Sequence, residues 1–167
     1  MKEYKLPIGC DVPETIILAD GDFPSHPLAL EWLRQCPYVV CCDGAANTYI
    51  RSGRMPEAIV GDGDSLLPDI KERYASLIHS EAEQETNYLS KAFRFCLSQE
   101  RKRITIMGAT GKREDHTIGN VSLLADYMEQ AEVSMMTDYG IFVPIREDSM
   151  FESYIGQQIS VFNMNST

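Results

Sequence analysis

Two aspartates on a glycine-rich turn are the first residues in this chain that could do chemistry. Asp62 and Asp64 stand two positions apart in the segment Gly61-Asp62-Gly63-Asp64-Ser65. Glycine leaves the backbone free to curl, so both carboxylates can approach one centre. Mg²⁺ prefers hard oxygen ligands and commonly takes one or two protein carboxylates together with substrate phosphates. The turn therefore predicts a magnesium site, with a solvated Asp-Gly turn as the alternative.

A second segment carries the opposite charge. Gly108 and Gly111 lie in a short loop that continues into Lys112 and Arg113. Backbone N–H groups beside glycines can reach a phosphate, and arginine can grip a phosphate through two parallel hydrogen bonds. The spacing is neither that of a Walker A loop nor that of a dinucleotide-binding G-x-G-x-x-G motif. The loop therefore predicts phosphate binding by a turn that belongs to neither of these motifs.

Polar residues on two helices accompany these loops. Asp115 and His116 open the helix after the cationic loop, and Asn120 lies one turn further on the same face. Asp115 could instead cap the helix, and a structural histidine is an equal alternative for His116. Lys91 stands in the first turns of another helix, where a positive charge gains nothing from the helix dipole. It is either an exposed lysine or one that holds a phosphate.

Short apolar runs alternate with helical stretches along most of the chain. Strands are predicted at residues 15–19, 38–42, 58–60, 77–79, 104–107 and 133–136, and helices at 28–35, 45–52, 68–75, 87–99 and 116–128. Nearly continuous apolar strands between helices predict an α/β fold, a parallel sheet with helices on both faces. Ligands bind at the carboxyl ends of such strands. The polar clusters at 20–22, 43–47, 61–65 and 108–116 each follow a strand, so we expect all four at one edge.

The pattern changes near residue 138. Strands are predicted at 141–145 and 157–162 without a helical pattern between them. We therefore divide the chain into an α/β domain at 1–138, which carries the polar clusters, and the start of a C-terminal β domain at 139–167. A strand pair alone is marginally stable. We expect the second domain to be incomplete, or to be completed by a partner chain.

Composition limits the choice of partners and of compartment. The 167 residues include 15 basic and 25 acidic side chains, a net charge of −10, which makes nucleic acid a poor partner. A phosphate ligand then needs a metal ion or a local basic cluster. There is no secretory signal pattern and no apolar run long enough to span a bilayer. An odd number of cysteines without such a signal predicts reduced thiols in the cytoplasm. Cys41 and Cys42 are expected to face opposite sides of a strand, and Trp32 is expected in the core.

The motifs taken together resemble the thiamine pyrophosphokinase family. The turn Asp43-Gly44-Ala45, the 61–65 loop, the helix start from Gln84 to Lys91 and the 108–120 loop and helix stand in the family's order. The resemblance covers residues 15–163. It implies an α/β domain followed by a small β-sandwich, working as a homodimer with thiamine between the subunits.

The resemblance also implies a reaction and the residues that perform it. The family transfers a pyrophosphoryl group from ATP to the hydroxyl of thiamine with Mg²⁺, giving thiamine diphosphate and AMP. Matching positions imply catalytic roles for Asp43, Asp62, Asp64, Gln84 and Lys91, with the three aspartates at the metal. They imply a nucleotide pocket formed by Gly108, Thr110, Gly111, Lys112, Arg113, Asp115, His116 and Asn120.

One departure from the family pattern leaves a second function open. Tyr88 stands where the family usually has an aspartate, four residues after Gln84. A phenol with a pKa near 10 is neutral at pH 7 and cannot replace a metal-binding carboxylate. The alternative is a catalytically impaired protein that binds nucleotide or thiamine. A two-metal phosphohydrolase that uses Asp62 and Asp64 is a third possibility.

Overall fold

The computed structural model describes residues 1–7 and 11–164. Its strands are β1 (Lys2–Tyr4), β2 (Thr15–Leu18), β3 (Val39–Cys42), β4 (Ala58–Val60), β5 (Ile78–His79), β6 (Arg103–Met107), β7 (Glu132–Met136), β8 (Ile141–Phe142) and β9 (Ser149–Phe151). Its helices are α1 (Pro27–Gln35), α2 (Ala45–Arg51), α3 (Pro68–Arg73), α4 (Tyr88–Ser98) and α5 (Glu114–Tyr127), with a 3-10 turn at Ala75–Leu77.

Seven strands form one sheet in the order β5-β4-β3-β2-β6-β7-β8. All neighbours are parallel except β8, which runs antiparallel to β7. The chain moves outward from β2 to β5 and then returns to place β6 on the other side of β2. Such a reversal of strand order opens a crevice at the carboxyl edge of an α/β sheet. The sheet confirms the predicted α/β fold and puts its ligand crevice between β2 and β6.

Helices cover both faces of this sheet. One face is packed by α4 and α5, whose buried apolar residues include Leu89, Phe93, Cys96, Leu124 and Tyr127. The other is packed by α1, α2 and α3, through Ala29, Trp32, Leu33, Tyr49 and Ile70. Cys41 belongs to the second cluster and Cys42 to the first, so these neighbours do face opposite sides. The strands are apolar throughout because both of their faces are covered.

Helix α4 begins where its sequence predicts. The side chain of Asn87 accepts a hydrogen bond from Ser90 N at 2.9 Å and caps the helix. Helix α5 begins earlier than predicted, because Arg113 is extended and occupies the cap position. Asp115 therefore lies in the first turn of α5, and the alternative in which it caps the helix is wrong.

Two strand predictions in the final part of the chain are also wrong. Residues 157–162 form no strand, and the strand predicted at 141–145 is limited to Ile141–Phe142. A strand needs a neighbour for its N–H and C=O groups. The described residues offer none to 157–162, and the alternating apolar pattern by itself cannot supply one.

A separate two-stranded sheet joins the beginning of the chain to its final part. Strands β1 and β9 pair in parallel, with Lys2 opposite Ser149 and Tyr4 opposite Phe151. The rings of Tyr4 and Phe151 stack with their centroids 4.6 Å apart. The sequence analysis predicted neither strand. The division into domains at 1–138 and 139–167 stays a prediction, and the pairing of β1 with β9 crosses the boundary between them. Residues 165–167 lie outside the described ranges.

The thiols and helices bear on two further expectations. Cys36, Cys41, Cys42 and Cys96 are free thiols, while Cys10 lies outside the described residues. No helix in the described part of the chain has the length and apolarity needed to cross a bilayer.

Candidate active site

Four loops meet at the carboxyl edge of the sheet, at residues 20–22, 43–47, 61–65 and 108–113. We call these four loops the rim. Neighbouring loops of the rim lie so close together that several positions have no room for a side chain. A Cβ atom on Gly44 would stand 2.6 Å from Asp20 Oδ2, and one on Gly61 would stand 2.8 Å from Asp43 Cβ. The predicted convergence of the four polar clusters is therefore observed.

The loops after β2 and β6 are tied together across the crevice. Gly21 N donates to Gly108 O at 2.6 Å, and Asp22 N donates to Thr110 O at 2.9 Å. Lys112 Nζ donates to Asp20 O at 3.2 Å and lies 3.9 Å from Asp20 Oδ1. The cationic loop is thus held at the strand-order reversal, with its lysine over an aspartate.

Asp43 is the most unusual residue of the rim. It is 2% exposed and has a positive φ of 39°. Neither of its carboxylate oxygens makes a hydrogen bond of normal geometry among the described residues, although the nearby Ser65 N–H acts to lower its pKa. Burial, followed by the negative charge of Asp62, raises the pKa of Asp43 to about 6. A buried carboxylate without donors is costly, so this position is suited to contact with a cation.

Asp62 sits beside Asp43 and is held by its neighbours. Its Oδ1 accepts a hydrogen bond from Asp64 N at 2.9 Å. This bond lowers the pKa of Asp62, and the nearby Tyr88 hydroxyl acts in the same direction. The same interaction with Asp62 raises the pKa of Tyr88 to about 12. The Tyr88 hydroxyl is therefore neutral beside Asp62 and adds no negative charge to the site.

The carboxylates of the rim fit a magnesium ion only with help from a substrate. No three His, Cys, Asp or Glu side chains within residues 1–7 and 11–164 form a ready metal cluster. Asp43 and Asp62 nevertheless offer hard oxygens, and those of Asp43 have no other partner in this part of the chain. Mg²⁺ often takes one or two carboxylates and completes its shell with waters and phosphates. The donor set fits that mode of binding.

Lys91 is buried, so the alternative in which it is an exposed lysine is wrong. It is 5% exposed, and its ammonium lies 5.5 Å from the centre of the Tyr88 ring. It also lines a cavity of about 200 Å³ with Arg94 and His79. None of the ion pairs among the described residues includes Lys91. A buried ammonium of this kind can receive an anionic ligand group.

The other predicted site residues differ in their surroundings. Gln84 is exposed in the segment between β5 and α4. At the start of α5, Arg113 pairs with Asp115 at 2.6 Å with both side chains largely exposed, and His116 is exposed beside them. These three lie at the outer end of the cationic loop. Their predicted contacts with a nucleotide stay predictions.

Asn120 links the rim to the neighbouring helix. Its Nδ2 donates to Ala109 O at 2.9 Å, and its Oδ1 accepts from Asn87 Nδ2 at 3.2 Å. Both groups of the amide are therefore used within the protein. Asn120 connects the cationic loop to the cap of α4, the helix that carries Lys91.

Asp20 is a rim residue to which the sequence analysis assigned no role. Burial raises its pKa, while the charge of Lys112 acts in the opposite direction. Its carboxylate lies between Lys112 and the turn at Gly44. The signal available in the sequence was a carboxylate placed directly after an apolar strand.

Comparison with known proteins gives a consistent family. A family model described as "Thiamin pyrophosphokinase, catalytic domain" matches residues 29–136. A second, described as "Thiamin pyrophosphokinase, substrate-binding domain", matches residues 140–167.

Individual proteins agree with these models. Thiamine pyrophosphokinase 1 of Oryza sativa subsp. japonica is 29% identical over 129 residues, covering 62% of this chain and 49% of that protein. Thiamine pyrophosphokinase 2 of Arabidopsis thaliana is 30% identical over 124 residues, covering 59% and 46%. The chain spans about half the length of these curated relatives.

Solved structures share the fold. Yeast thiamin pyrophosphokinase aligns with a TM-score of 0.64 at 18% identity, covering 81% of this chain and 63% of that chain. Thiamin pyrophosphokinase from Geobacillus thermodenitrificans aligns with a TM-score of 0.59 at 26% identity, covering 73% and 58%.

Proposed function

This chain belongs to the thiamin pyrophosphokinase family, and from that premise we propose that it transfers a pyrophosphoryl group from ATP to the hydroxyl of thiamine. The observation that carries the proposal is Asp43, a buried carboxylate whose oxygens have no donor in the described part of the chain. It stands in a rim that also contains Asp62 and a glycine-rich cationic loop. An acidic centre beside a cationic loop suits a triphosphate and its cation.

The strand order supports a direction for the nucleotide. The loop after β6 lies three strand spacings, about 14 Å, from the loop after β4. We place the nucleoside end at Gly108–Lys112 and the terminal phosphates toward Asp62 and Lys91. Lys91 then offsets phosphate charge, and Gln84 orients the phosphates from the loop above.

The proposed reaction uses positioning and charge rather than a covalent intermediate with the protein. The hydroxyl oxygen of thiamine forms a bond to the β-phosphorus of ATP. The bond from that phosphorus to the oxygen of the α-phosphate breaks, AMP leaves and the hydroxyl proton is released. Asp43 and Asp62, with Asp64 as the third predicted ligand, would hold Mg²⁺, which when bound offsets the negative charge that develops on the phosphate oxygens.

We further propose that the active assembly is a homodimer that takes ATP and thiamine as its substrates. The final part of the chain exposes large apolar side chains, among them Tyr139, Ile155, Ile159, Val161 and Phe162. Exposed apolar surface of this extent supports an interface. A cytoplasmic location stays a prediction.

The direct test is to incubate the protein with thiamine, ATP and Mg²⁺ and to measure thiamine diphosphate and AMP. We expect equal amounts of both products, and none when thiamine is left out. Asp62→Asn should lose most of this activity, while Asp126→Asn, a change of an exposed aspartate on α5, should keep it. Inorganic phosphate formed without thiamine would instead indicate a phosphohydrolase. Absence of both product patterns would end the proposal.

Tyr88 favours a second candidate function, an impaired protein that binds nucleotide or thiamine. It brings a neutral hydroxyl to Asp62 where the family usually has a carboxylate, so the site has one negative charge fewer for Mg²⁺. Tyr88→Asp separates the two candidates. A large gain in turnover at unchanged ATP affinity would identify the natural chain as the impaired form. High turnover of the unmodified chain would exclude that candidate.

A further inference from the structure

The segment that carries Gln84 is a tight polar turn with little packing of its own. Glu83 Oε1 accepts a hydrogen bond from Thr86 N at 2.9 Å, and its carboxylate also bonds to Glu85 N and to the Thr86 hydroxyl. Hydrogen bonds from Thr86 lower the pKa of Glu83, which keeps it charged. These bonds close the turn and leave Gln84 at its tip.

This turn buries little of its surface against the described part of the protein. Every residue from 80 to 85 is exposed, and the first buried side chains after it, those of Leu89 and Ser90, belong to α4. The hydrogen bonds of Glu83 fix the shape of the turn but not its place on the protein. Its position must therefore come from polar contacts with neighbouring elements.

Arg94 supplies those contacts from the second turn of α4. Its Nη2 donates to Glu81 Oε2 at 2.7 Å, to Thr86 Oγ1 at 2.9 Å and to Glu83 Oε2 at 3.3 Å. Its Nε donates to the second oxygen of Glu81 at 3.3 Å. One guanidinium thus contacts the turn on both sides of Gln84. A planar group with several fixed donors is suited to joining two carboxylates in this way.

Arg94 and Lys91 stand three residues apart on the same helix, and both line the cavity of about 200 Å³ beneath the turn. An arginine that fixes the turn to α4 also fixes the distance between Gln84 and Lys91. If the chain has the proposed function, Gln84 and Lys91 are the two residues that orient the phosphates, one from each side.

We infer that Arg94 is a positioning residue of the active site, which acts on the phosphates through Gln84. The inference rests on the proposed function, since it assigns Gln84 a ligand. In the proposed complex, Arg94 does not contact the substrate. Its removal should leave the fold intact and release the turn, because its partners are all exposed or half-buried.

The experiment compares Arg94→Gln and Arg94→Lys with Arg34→Gln, a control that removes a similar guanidinium–carboxylate pair on α1. Amide deuterium exchange of residues 81–87 reports the turn, and kcat and KM for ATP report the site. We expect Arg94→Gln to speed exchange in the turn about tenfold and to lower kcat/KM roughly 10- to 100-fold. Arg94→Lys should fall between Arg94→Gln and the unmodified chain, because a lysine keeps the charge but cannot join both carboxylates. Arg34→Gln should change neither readout.

A double substitution tests whether Arg94 acts through Gln84. If it does, Arg94→Gln combined with Gln84→Ala should have the kcat/KM of Gln84→Ala alone. Multiplied losses would overturn the inference, and so would unchanged exchange of residues 81–87 in Arg94→Gln. If the unmodified chain makes thiamine diphosphate, either of these results overturns the inference about Arg94 but not the proposed function. A chain that neither binds ATP nor makes thiamine diphosphate would overturn the proposed function and this inference together.

Discussion

At the scale of single residues, Asp43 has a cost in stability that a functional role would explain. Its carboxyl group is buried without donors in the described part of the chain, beside the charge of Asp62. A folded-state pKa of about 6 lies above the ordinary value of 3.8. The folded protein therefore holds this proton more tightly than the unfolded chain. Stability without metal should fall as the pH rises from about 4 to about 6.

Asp43→Asn should remove this cost and most of the activity. Without metal at pH 7.5 we expect the variant to be more stable than the unmodified protein by up to about 3 kcal/mol, the equivalent of the pKa difference. The gain should shrink toward pH 4, where the carboxyl group is protonated. Urea unfolding with a chelator at both pH values measures it. Thiamine diphosphate formation should drop roughly 100-fold.

Asp126→Asn on the exposed side of α5 is the matched control and should show neither effect. A variant at Asp43 that is less stable than the unmodified protein at pH 7.5 would contradict the proposed cost. It would indicate that the carboxylate has a favourable partner.

At the scale of elements, the close contact between the loops after β2 and β6 forms the crevice. A Cβ atom at Gly21 would stand 2.5 Å from Thr110 O and even closer to Gly108 O, and both are backbone atoms that cannot rotate away. The two hydrogen bonds that join these loops depend on that approach. Glycine is required here by the contact between two backbones.

Gly21→Ala should therefore push the two loops apart. We expect a loss of about 1–3 kcal/mol in the free energy of unfolding, typical of overpacking, together with weaker ATP binding. Gly119→Ala is the control, since a Cβ at this position in α5 meets nothing within 4 Å. It should raise the free energy of unfolding by about 0.5–1 kcal/mol through helix propensity. Urea unfolding and calorimetric titration with ATP measure both variants, and equal effects at the two positions would refute the argument.

At the scale of the whole molecule, the pairing of β1 with β9 joins the start of the chain to residues 149–151. Glu152 N donates to Tyr4 O at 2.8 Å, and Leu6 N donates to Glu152 Oε2 at 2.9 Å. Two strands alone are marginally stable. The stacked rings of Tyr4 and Phe151 are the main apolar contact between them.

Tyr4→Ala should release the two-stranded sheet without unfolding the seven-stranded one. We expect faster deuterium exchange at the amides of residues 149–152, with no change in β2 or β6. Met55→Ala, at an exposed position outside both strands, is the control and should leave both regions unchanged. If Tyr4→Ala also speeds exchange in β2 and β6, the two sheets unfold as one unit.

Local patterns in the sequence determined most of the strands and helices and the edge of the sheet at which the polar clusters lie. Apolar runs with the period of buried strands, separated by helical periods, define the sheet and its helices. The carboxyl ends of parallel strands lie at one edge, so the meeting of the four polar clusters followed from the strand predictions alone. The start of α4 was predicted at residue 87, where Asn87 caps the helix, because capping depends only on residues three positions apart.

Only the tertiary structure decided which side chains are buried and which distant residues touch. The order of the strands brings Asp20 under Lys112, packing buries Lys91 against Tyr88, and folding joins β1 to β9. Residues 157–162 carry a strand pattern but lack a neighbouring strand in the described residues. Local periodicity reports which face of an element is apolar. Contacts between residues far apart in the chain depend on how the elements pack, and no short segment carries that information.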